Sequence, residues 1–121
     1  MPVVAGGLMQ NVVKPLRVVA GMPMYNEEET IGTVVTKVLR HVDQVICVDD
    51  GSSDSSARIA ESCGAIVHRH RVNRGYGGAL KSLFAAAIEM DAEILVLLDS
   101  DGQHSAEDIP SMIAPLFDDE A

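Results

Sequence analysis

The feature that most restricts the fold is a regular alternation of short apolar segments with segments of helical periodicity. Four apolar segments are predicted to be β-strands, at residues 16–22, 43–48, 65–68 and 93–98. The segments between them are predicted to be helices, at residues 27–39, from Ser53 or Asp54 to Ser62, and at residues 75–90. Short strands that are apolar along their length indicate a parallel sheet covered on both faces. The sequence therefore predicts an open α/β/α sandwich with a Rossmann-like topology.

The chain of 121 residues is expected to form one domain around a single hydrophobic core. Residues 1–15 lack the basic and apolar regions of a signal peptide, so they are predicted to be a flexible N-terminal tail. Residues 16–121 are predicted to be the folded domain. Near its end, Ser105 is expected to cap a last helix that carries Glu107 and Asp108 in its first turn.

The charge of the chain is strongly acidic and unevenly distributed. The formal net charge is −9, and ten Asp or Glu residues but no Lys or Arg follow Lys81. A nucleic-acid-binding protein needs basic side chains to neutralise phosphates, so this class is disfavoured and no nucleic-acid partner is expected. Such an acidic surface can concentrate a divalent cation, or it can serve solubility alone.

The two cysteines and the hydropathy pattern bear on location. Neither Cys47 nor Cys63 has metal-ligand spacing, which favours a reduced protein of the cytoplasm. No apolar run approaches the length of a membrane span. A full-length protein that contains this domain could still act at the cytoplasmic face of a membrane.

Polar clusters follow three of the predicted strands at the point where each strand ends. They are PMYNE at residues 23–27, DDGS at residues 49–52 and DSD at residues 99–101. Each cluster alone is also explained as a turn, since Asp, Asn, Gly and Ser are common turn residues. Ligands of open α/β sheets bind beyond the carboxyl ends of the strands. Three carboxylate-bearing clusters at that edge therefore favour one binding site.

The pair Asp99 and Asp101 is the strongest candidate for a metal site. Two carboxylates ~5 Å apart repel each other by roughly 3 kcal/mol at an effective dielectric constant near 20. Unless one is protonated, the pair requires a cation, and oxygen ligands favour Mg²⁺ or Mn²⁺. Gln103 and His104 follow closely, although His104 could equally be a turn or solvent-facing residue.

Four motifs together resemble family 2 glycosyltransferases of the GT-A fold. They are PMYNEEETIGTVV, VICVDDGSSDSS, NRGYGGALKSLFAAA and LLDSDGQH, in this order, within residues 18–117. The DGQH ending is most similar to the polyprenyl- or dolichyl-phosphate mannosyl- and glucosyltransferase group. The resemblance implies a mainly parallel sheet of order 3-2-1-4 and a donor that is a UDP- or GDP-sugar. It also implies a divalent metal and an acceptor such as a polyprenyl phosphate.

The resemblance also implies roles for individual residues. Pro23, Tyr25 and Glu27 would line the base and ribose, and Asp50 would contact the base with Asp49 beside it. Asp99 and Asp101 would hold the metal and the diphosphate, with Gln103 next to them. The nucleotide-binding residues are therefore expected to be Pro23, Tyr25, Glu27, Asp49, Asp50, Lys81 and Asp99, and the metal ligands Asp99, Asp101 and Gln103.

The glycine-rich third motif is not a dinucleotide fingerprint. The third glycine of that fingerprint would fall at Leu80, and the motif follows the third strand instead of the first. Its glycines are expected to let the helix start pack close to the nucleotide, with Arg74 or Lys81 near phosphate or base. For Lys81, a solvated helix position is equally consistent. The HRHR sequence at residues 68–71 is interpreted as an exposed strand end without chemistry.

The resemblance implies that the catalytic base and the acceptor-binding part lie downstream of this chain. The chain is therefore expected to be the nucleotide-sugar-binding half of a glycosyltransferase domain and inactive in sugar transfer alone. A non-catalytic nucleotide-sugar-binding module remains the alternative. A receiver-type phosphoacceptor domain is excluded. In such a domain the acidic pair closes the first strand and a Lys follows the phosphorylated Asp on a later strand. In this chain the acidic pair closes the second strand, and no Lys follows Asp99. The last apolar strand would be an uncovered sheet edge, which predicts a homodimer.

Overall fold

The structure is a computed structural model, and it describes residues 16–102 and 106–117. The four strands are β1 (Val18–Met24), β2 (Gln44–Asp49), β3 (Ile66–Arg69) and β4 (Ile94–Leu97). The four helices are α1 (Ile31–Val38), α2 (Ser56–Ser62), α3 (Gly75–Glu89) and α4 (Ile109–Ile113). Short 3-10 turns, Ala106–Asp108 and Ala114–Phe117, flank α4. The predicted tail, the cap Ser105 and the candidate residues Gln103 and His104 lie outside the described residues.

The strands form one parallel sheet of order β3-β2-β1-β4, which confirms the predicted topology. β1 lies between β2 and β4 and is buried along almost its whole length. Its register pairs Met24 with Asp49 of β2 and Gly21 with Leu97 of β4. The carboxyl ends of β1, β2 and β4 therefore lie at the same edge of the sheet.

Alternate residues of the central strands face two separate hydrophobic clusters. One cluster packs side chains of β1, β2 and β4 against α1, α2 and α4, and it includes Met22, Cys47 and Ile109. The other packs Val19 and Ile46 against α3. Helices thus cover both faces of the sheet, as strands that are apolar on both faces require.

The backbone of β1 approaches α3 most closely at Gly21. A Cβ atom at this position would lie 2.8 Å from a methyl group of Leu83 and 3.3 Å from one of Leu95. Leu83 is fully buried, so it has no open space into which to move. Glycine at this position sets the distance between the sheet and α3.

β1 continues two residues beyond the predicted end, through Pro23 to Met24. Met24 accepts a hydrogen bond from Asp50 on the β2 side, and Gly21 accepts one from Leu98 on the β4 side. Pro23 therefore faces the β4 side, beyond the last β1 residue that pairs there. No residue of β4 pairs with Pro23, so the strand ladder does not need the N–H that proline lacks, and β1 tolerates a proline at this position.

Two helices begin later than predicted. α1 begins at Ile31, and the acidic residues expected in its first turn precede it. Their backbone forms a turn that starts after Asn26, whose φ of 52° lies in the left-handed region. α2 begins at Ser56 with Ser55 as its N-cap, so the prediction of Ser53 or Asp54 as the cap was wrong.

Within the described residues, none of the helices is both long enough and apolar enough to cross a membrane. Cys47 and Cys63 are free thiols. Burial, together with the nearby charge of Asp49, raises the pKa of Cys47 to about 12, so this thiol stays protonated at neutral pH.

Candidate functional site

The three polar clusters that follow β1, β2 and β4 meet at one groove of about 310 Å³. This confirms that the carboxyl ends of these strands bring the clusters together. The lining residues are Pro23, Met24, Tyr25, Glu27, Asp50, Asn73, Gly75, Tyr76, Ala79, Asp99, Ser100 and Asp101. The phenol rings of Tyr25 and Tyr76 are half or more exposed at this groove, which gives it aromatic surfaces next to carboxylates.

Side-chain hydrogen bonds fix the loop after β1 to the loop after β2. The Asn26 N–H donates to Ser52 Oγ at 2.8 Å, and the Ser53 N–H donates back to Asn26 Oδ1 at 2.9 Å. The Glu27 N–H donates to Ser56 Oγ at 2.7 Å. These hydrogen bonds tie the two loops together, and one residue of each loop, Tyr25 and Asp50, lines the groove.

Asp54 supports the same junction from the outer side. Its carboxylate accepts hydrogen bonds from the Ser56 hydroxyl and N–H and from the Glu28 N–H. Desolvation raises the pKa of Asp54, but these hydrogen bonds outweigh it and lower the pKa below its usual value. The Ser55 N–H donates to Glu28 Oε1 at 2.9 Å, which adds a second contact across the junction.

The loop after β4 joins these two loops through Thr30. The Thr30 hydroxyl lies 3.1 Å from the carbonyl oxygen of Ser100, between Asp99 and Asp101. Ser100 is buried, whereas Asp99 is half-buried and Asp101 is exposed. This contact places the backbone that carries both carboxylates next to the loop after β1.

Asp50 is buried at the wall of the groove and receives several hydrogen bonds. His70 Nδ1 lies 2.8 Å from Asp50 Oδ1, and the N–H groups of Arg74 and Gly75 donate to Oδ1 and Oδ2 at 2.8 and 2.9 Å. Burial raises the pKa of Asp50, but the hydrogen bond from His70, those from the two backbone N–H groups and the charge of His70 outweigh it. The pKa is lowered, and Asp50 is ionised at neutral pH.

His70, which contacts Asp50 at the wall of the groove, is the residue that the sequence interpretation missed. The interpretation of residues 68–71 as an exposed strand end holds for His68, Arg69 and Arg71, but it was wrong for His70, which is only 6% exposed. Its Nε2 lies 2.7 Å from Ser82 Oγ on α3. His70 follows β3 directly, so the strand-end rule that selected the other clusters would have found it.

Asp49 and Lys81 do not line the groove. Asp49 is fully buried; its Oδ1 accepts the Ser52 N–H at 2.9 Å, and its Oδ2 lies 3.4 Å from Arg69 Nε. No hydrogen bond to Oδ2 from the described residues meets normal geometry, so the ion pair with Arg69 compensates this oxygen. Lys81 is exposed on α3.

The groove has the donor chemistry of a hard-cation site. Asp99 and Asp101 contribute carboxylate oxygens to the same groove. Mg²⁺ and Mn²⁺ accept such ligands, and Mg²⁺ commonly binds through one or two carboxylates together with water and phosphate oxygens. No group of three or more His, Cys, Asp or Glu side chains that could hold a metal occurs in residues 16–102 and 106–117. The two carboxylates therefore fit a metal that is shared with a phosphate ligand.

A larger cavity, of about 700 Å³, lies between α1 and the 3-10 turn Ala106–Asp108. It is lined by residues such as Thr33, Lys37 and Arg40 and includes none of the carboxylates that follow the strands. Its size alone does not make it the functional site, because the convergent polar groups are at the smaller groove.

The sheet, the carboxyl-end groove and the paired carboxylates define an α/β protein with a site suited to a nucleotide and a cation. The chain belongs to glycosyl transferase family 2, since the model of that family matches residues 20–121. The predicted family is thereby confirmed.

Curated relatives include transferases that use lipid phosphates. UDP-N-acetylglucosamine–dolichyl-phosphate N-acetylglucosaminyltransferase of Methanococcus voltae is 34% identical, and the match covers 81% of this chain and 46% of that protein. Undecaprenyl-phosphate 4-deoxy-4-formamido-L-arabinose transferase of Proteus mirabilis is 33% identical, with 77% of this chain and 31% of that protein covered. The chain thus spans less than half the length of these relatives.

Solved structures confirm the fold. Glucosyl-3-phosphoglycerate synthase of Mycobacterium tuberculosis, in complex with Mn²⁺, UDP and glucosyl-3-phosphoglycerate, matches with a TM-score of 0.68 and 26% identity, over 84% of this chain and 39% of that one. Mannosyl-3-phosphoglycerate synthase of Rubrobacter xylanophilus matches with a TM-score of 0.73 over 86% of this chain and 37% of that one. At 21% identity, the second match supports the GT-A fold alone.

Proposed function

We propose that the groove binds the nucleotide-diphosphate part of a UDP- or GDP-sugar together with Mg²⁺ or Mn²⁺. The convergence on this groove of Tyr25 and carboxylates from three strand ends, and of Gly75 and Tyr76 from the start of α3, supports the proposal. Membership of glycosyl transferase family 2 supplies the sugar-transfer chemistry. The Mn²⁺ and UDP in the mycobacterial synthase belong to a protein of the same fold and support the choice of ligand.

The proposed roles follow from the positions of the side chains. Tyr25 and Pro23 offer flat surfaces for the base, and Glu27 offers a carboxylate for the ribose hydroxyl groups. Asp50 accepts an N–H of the base. Asp99 and Asp101 would hold the cation, and a cation bound there would supply positive charge to the diphosphate.

Three residues of the predicted site have weaker support. Gln103, predicted beside the cation, lies outside the described residues. Asp49 acts in this proposal by fixing the turn that carries Ser52, and Lys81 approaches the ligand only if its long side chain folds back over α3. These assignments stay predictions.

We propose a polyprenyl phosphate as the acceptor, because two relatives are named for transfer to dolichyl phosphate or undecaprenyl phosphate. The full-length protein would then work at a membrane surface, and a cytoplasmic location agrees with the two free thiols. The chain as it stands is expected to bind the donor without transferring sugar. The specific alternative is a module that binds nucleotide sugars without catalysing transfer in any context.

Calorimetric titration tests the binding site. We expect UDP or GDP to bind in the presence of Mn²⁺ and to bind about tenfold or more weakly with EDTA, since the loss of ~1.4 kcal/mol corresponds to a tenfold change. The double variant Asp99→Asn, Asp101→Asn should bind equally weakly with and without Mn²⁺. Asp108→Asn is the matched control, because Asp108 is exposed and makes no capping hydrogen bond. Cation-independent binding by the unmodified chain would contradict the metal site.

Transfer is tested separately, with radiolabelled UDP-glucose and GDP-mannose and a polyprenyl phosphate. The expected result for this chain is nucleotide binding without labelled lipid. Sustained turnover by the 121-residue chain would show that residues within it supply the base and acceptor site.

A further inference from the structure

The acceptor capacity of Asp50 is almost fully used inside the protein. Among the described residues, His70 Nδ1 and the Arg74 N–H both bond to Oδ1, and the Gly75 N–H bonds to Oδ2. An ionised carboxylate has about four acceptor positions, two on each oxygen. Groups of the described residues occupy three of them, which leaves one position, on Oδ2, that none of these residues fills. Because Asp50 lines the groove, this position is the one available to a ligand.

The position of one hydrogen on the His70 ring follows from these contacts. An ionised carboxylate only accepts, so Nδ1 of His70 carries the hydrogen that it shares with Asp50. Nε2 is held by Ser82 Oγ at 2.7 Å, and the ring is buried. His70 therefore connects the end of β2 to α3 and fixes the rotation of the Asp50 carboxylate.

The backbone donors are fixed as well. Gly75 has a φ of 80°, in the left-handed region that favours glycine. Gly51, with a φ of 88°, lies so close to this turn that a Cβ atom would be 3.1 Å from the Asn73 nitrogen. The turn that carries the Arg74 and Gly75 N–H groups is thus packed against the loop after β2, and the donors stay in position.

One acceptor position discriminates between bases. Uracil presents a single ring N–H between two carbonyl oxygens. Guanine presents a ring N–H next to an amino group. When both face one carboxylate, each needs its own acceptor position. The corresponding ring nitrogen of cytosine accepts a hydrogen bond instead of donating one, so a carboxylate repels it. A donor left without an acceptor in a buried contact weakens binding.

We propose that His70 is a positioning residue that leaves Asp50 a single acceptor, so that the groove selects uracil over guanine and the donor is a UDP-sugar. This inference rests on the proposed nucleotide site. It goes further by choosing between the two donor classes that the proposed function leaves open.

The test measures dissociation constants for UDP, GDP and CDP with Mn²⁺. For the unmodified chain we expect UDP to bind about tenfold or more tightly than either competitor, because one charged hydrogen bond is at stake. His70→Ala frees a position on Oδ1 and should reduce the ratio of GDP to UDP dissociation constants severalfold. His70→Asn places an amide N–H where Nδ1 was and should restore the ratio.

Two further variants complete the test. Ser82→Ala removes only the contact to Nε2 and should reduce the ratio less than His70→Ala does. His68→Ala is the matched control, since His68 is exposed on β3, two residues before His70. Circular dichroism shows whether His70→Ala folds. If it does not, the ratios of GDP to UDP dissociation constants for the unmodified chain, His70→Asn and Ser82→Ala still test the inference.

The outcomes separate this inference from the proposed function. If no nucleotide binds to the unmodified chain, the proposed function fails. If UDP and GDP bind equally, or GDP binds more tightly, nucleotide binding stands and the inference is overturned. If folded His70→Ala keeps the full preference for UDP, the role of His70 is overturned.

Discussion

Asp49 and Asp50 are neighbours in the chain, yet their carboxylates have different tasks. Asp49 is the last residue of β2, and its side chain is sequestered by the Ser52 N–H and by Arg69. Asp50 follows the strand, lines the groove and is held by His70. Adjacent residues of an extended strand point in opposite directions, so only one of two consecutive acids can reach a given ligand.

Asp50→Asn is expected to lower the free energy of unfolding by about 1–3 kcal/mol at pH 7, because the donors around it lose their anionic partner. The folded-state pKa of Asp50 is lowered, so its stabilising effect is complete above the unfolded value of about 3.9. The effect is lost as the pH falls through the folded-state pKa. The difference between the variant and the unmodified chain should therefore shrink from pH 7 towards pH 3.

Urea unfolding followed by circular dichroism at several pH values measures this difference. Asp108→Asn, at an exposed position, should show no such pH-dependent difference. A gap between Asp50→Asn and the unmodified chain that stays constant from pH 7 to pH 3 would refute the ionic role of Asp50.

The residues that follow strands directly were predictable from the sequence, and those placed by loops were not. Pro23, near the end of β1, and Tyr25 and Asp101, beyond the ends of β1 and β4, reach the groove because of the direction of these strands. Asn73 also lines the groove, but its position depends on the path of the turn between β3 and α3. His70 follows β3 directly, so the same rule predicts its place at the sheet edge, but its contact with Ser82, twelve residues away on α3, is not visible in the periodicity.

At the scale of elements, the contact between β1 and α3 determines how closely a helix can cover the sheet. Gly21→Ala should lower the free energy of unfolding by about 1–3 kcal/mol, because the added methyl group would overlap with buried Leu83. Gly77→Ala is the matched control on α3, where a Cβ atom would meet nothing within 4 Å. It should raise stability by up to about 1 kcal/mol through helix propensity.

Thermal and urea denaturation of both variants measures these effects. Equal stability of Gly21→Ala and the unmodified chain would mean that α3 can move away from β1 without cost. The hydrogen bonds between the loops, and not the contact between α3 and the sheet, would then keep the site rigid.

The helix starts were the least predictable boundaries, for a physical reason. Glu27 to Glu29 suit the first turn of a helix by charge, and Asp54 suits an N-cap by type. In the structure, Glu28 Oε1 accepts the Ser55 N–H and Asp54 Oδ2 accepts the Glu28 N–H, and both bonds cross the junction between two loops. Asp54 Oδ1 also accepts the N–H of Ser56, two residues further along the chain. Contacts between distant segments thus add to the local bonding that the sequence favours and shift where the helices begin.

At the scale of the whole molecule, the order of the strands leaves β4 at one edge of the sheet and β3 at the other. The order was predicted from the resemblance, and the parallel arrangement from the apolar strands. Among the described residues, no strand pairs with the outer side of β4. Unpaired backbone groups at an apolar edge favour pairing with another strand. We propose that a second copy of this chain supplies that strand.

Light scattering at micromolar concentration should therefore report a dimer. Leu97→Lys places a charge on β4 and should convert the dimer to a monomer, because charged edge strands resist pairing. Ile66→Lys on β3 is the matched control, since Leu97 and Ile66 are 38% and 39% exposed. It should leave the dimer intact. A monomeric unmodified chain would refute the assembly, and dissociation by Ile66→Lys alone would move the interface to the opposite edge.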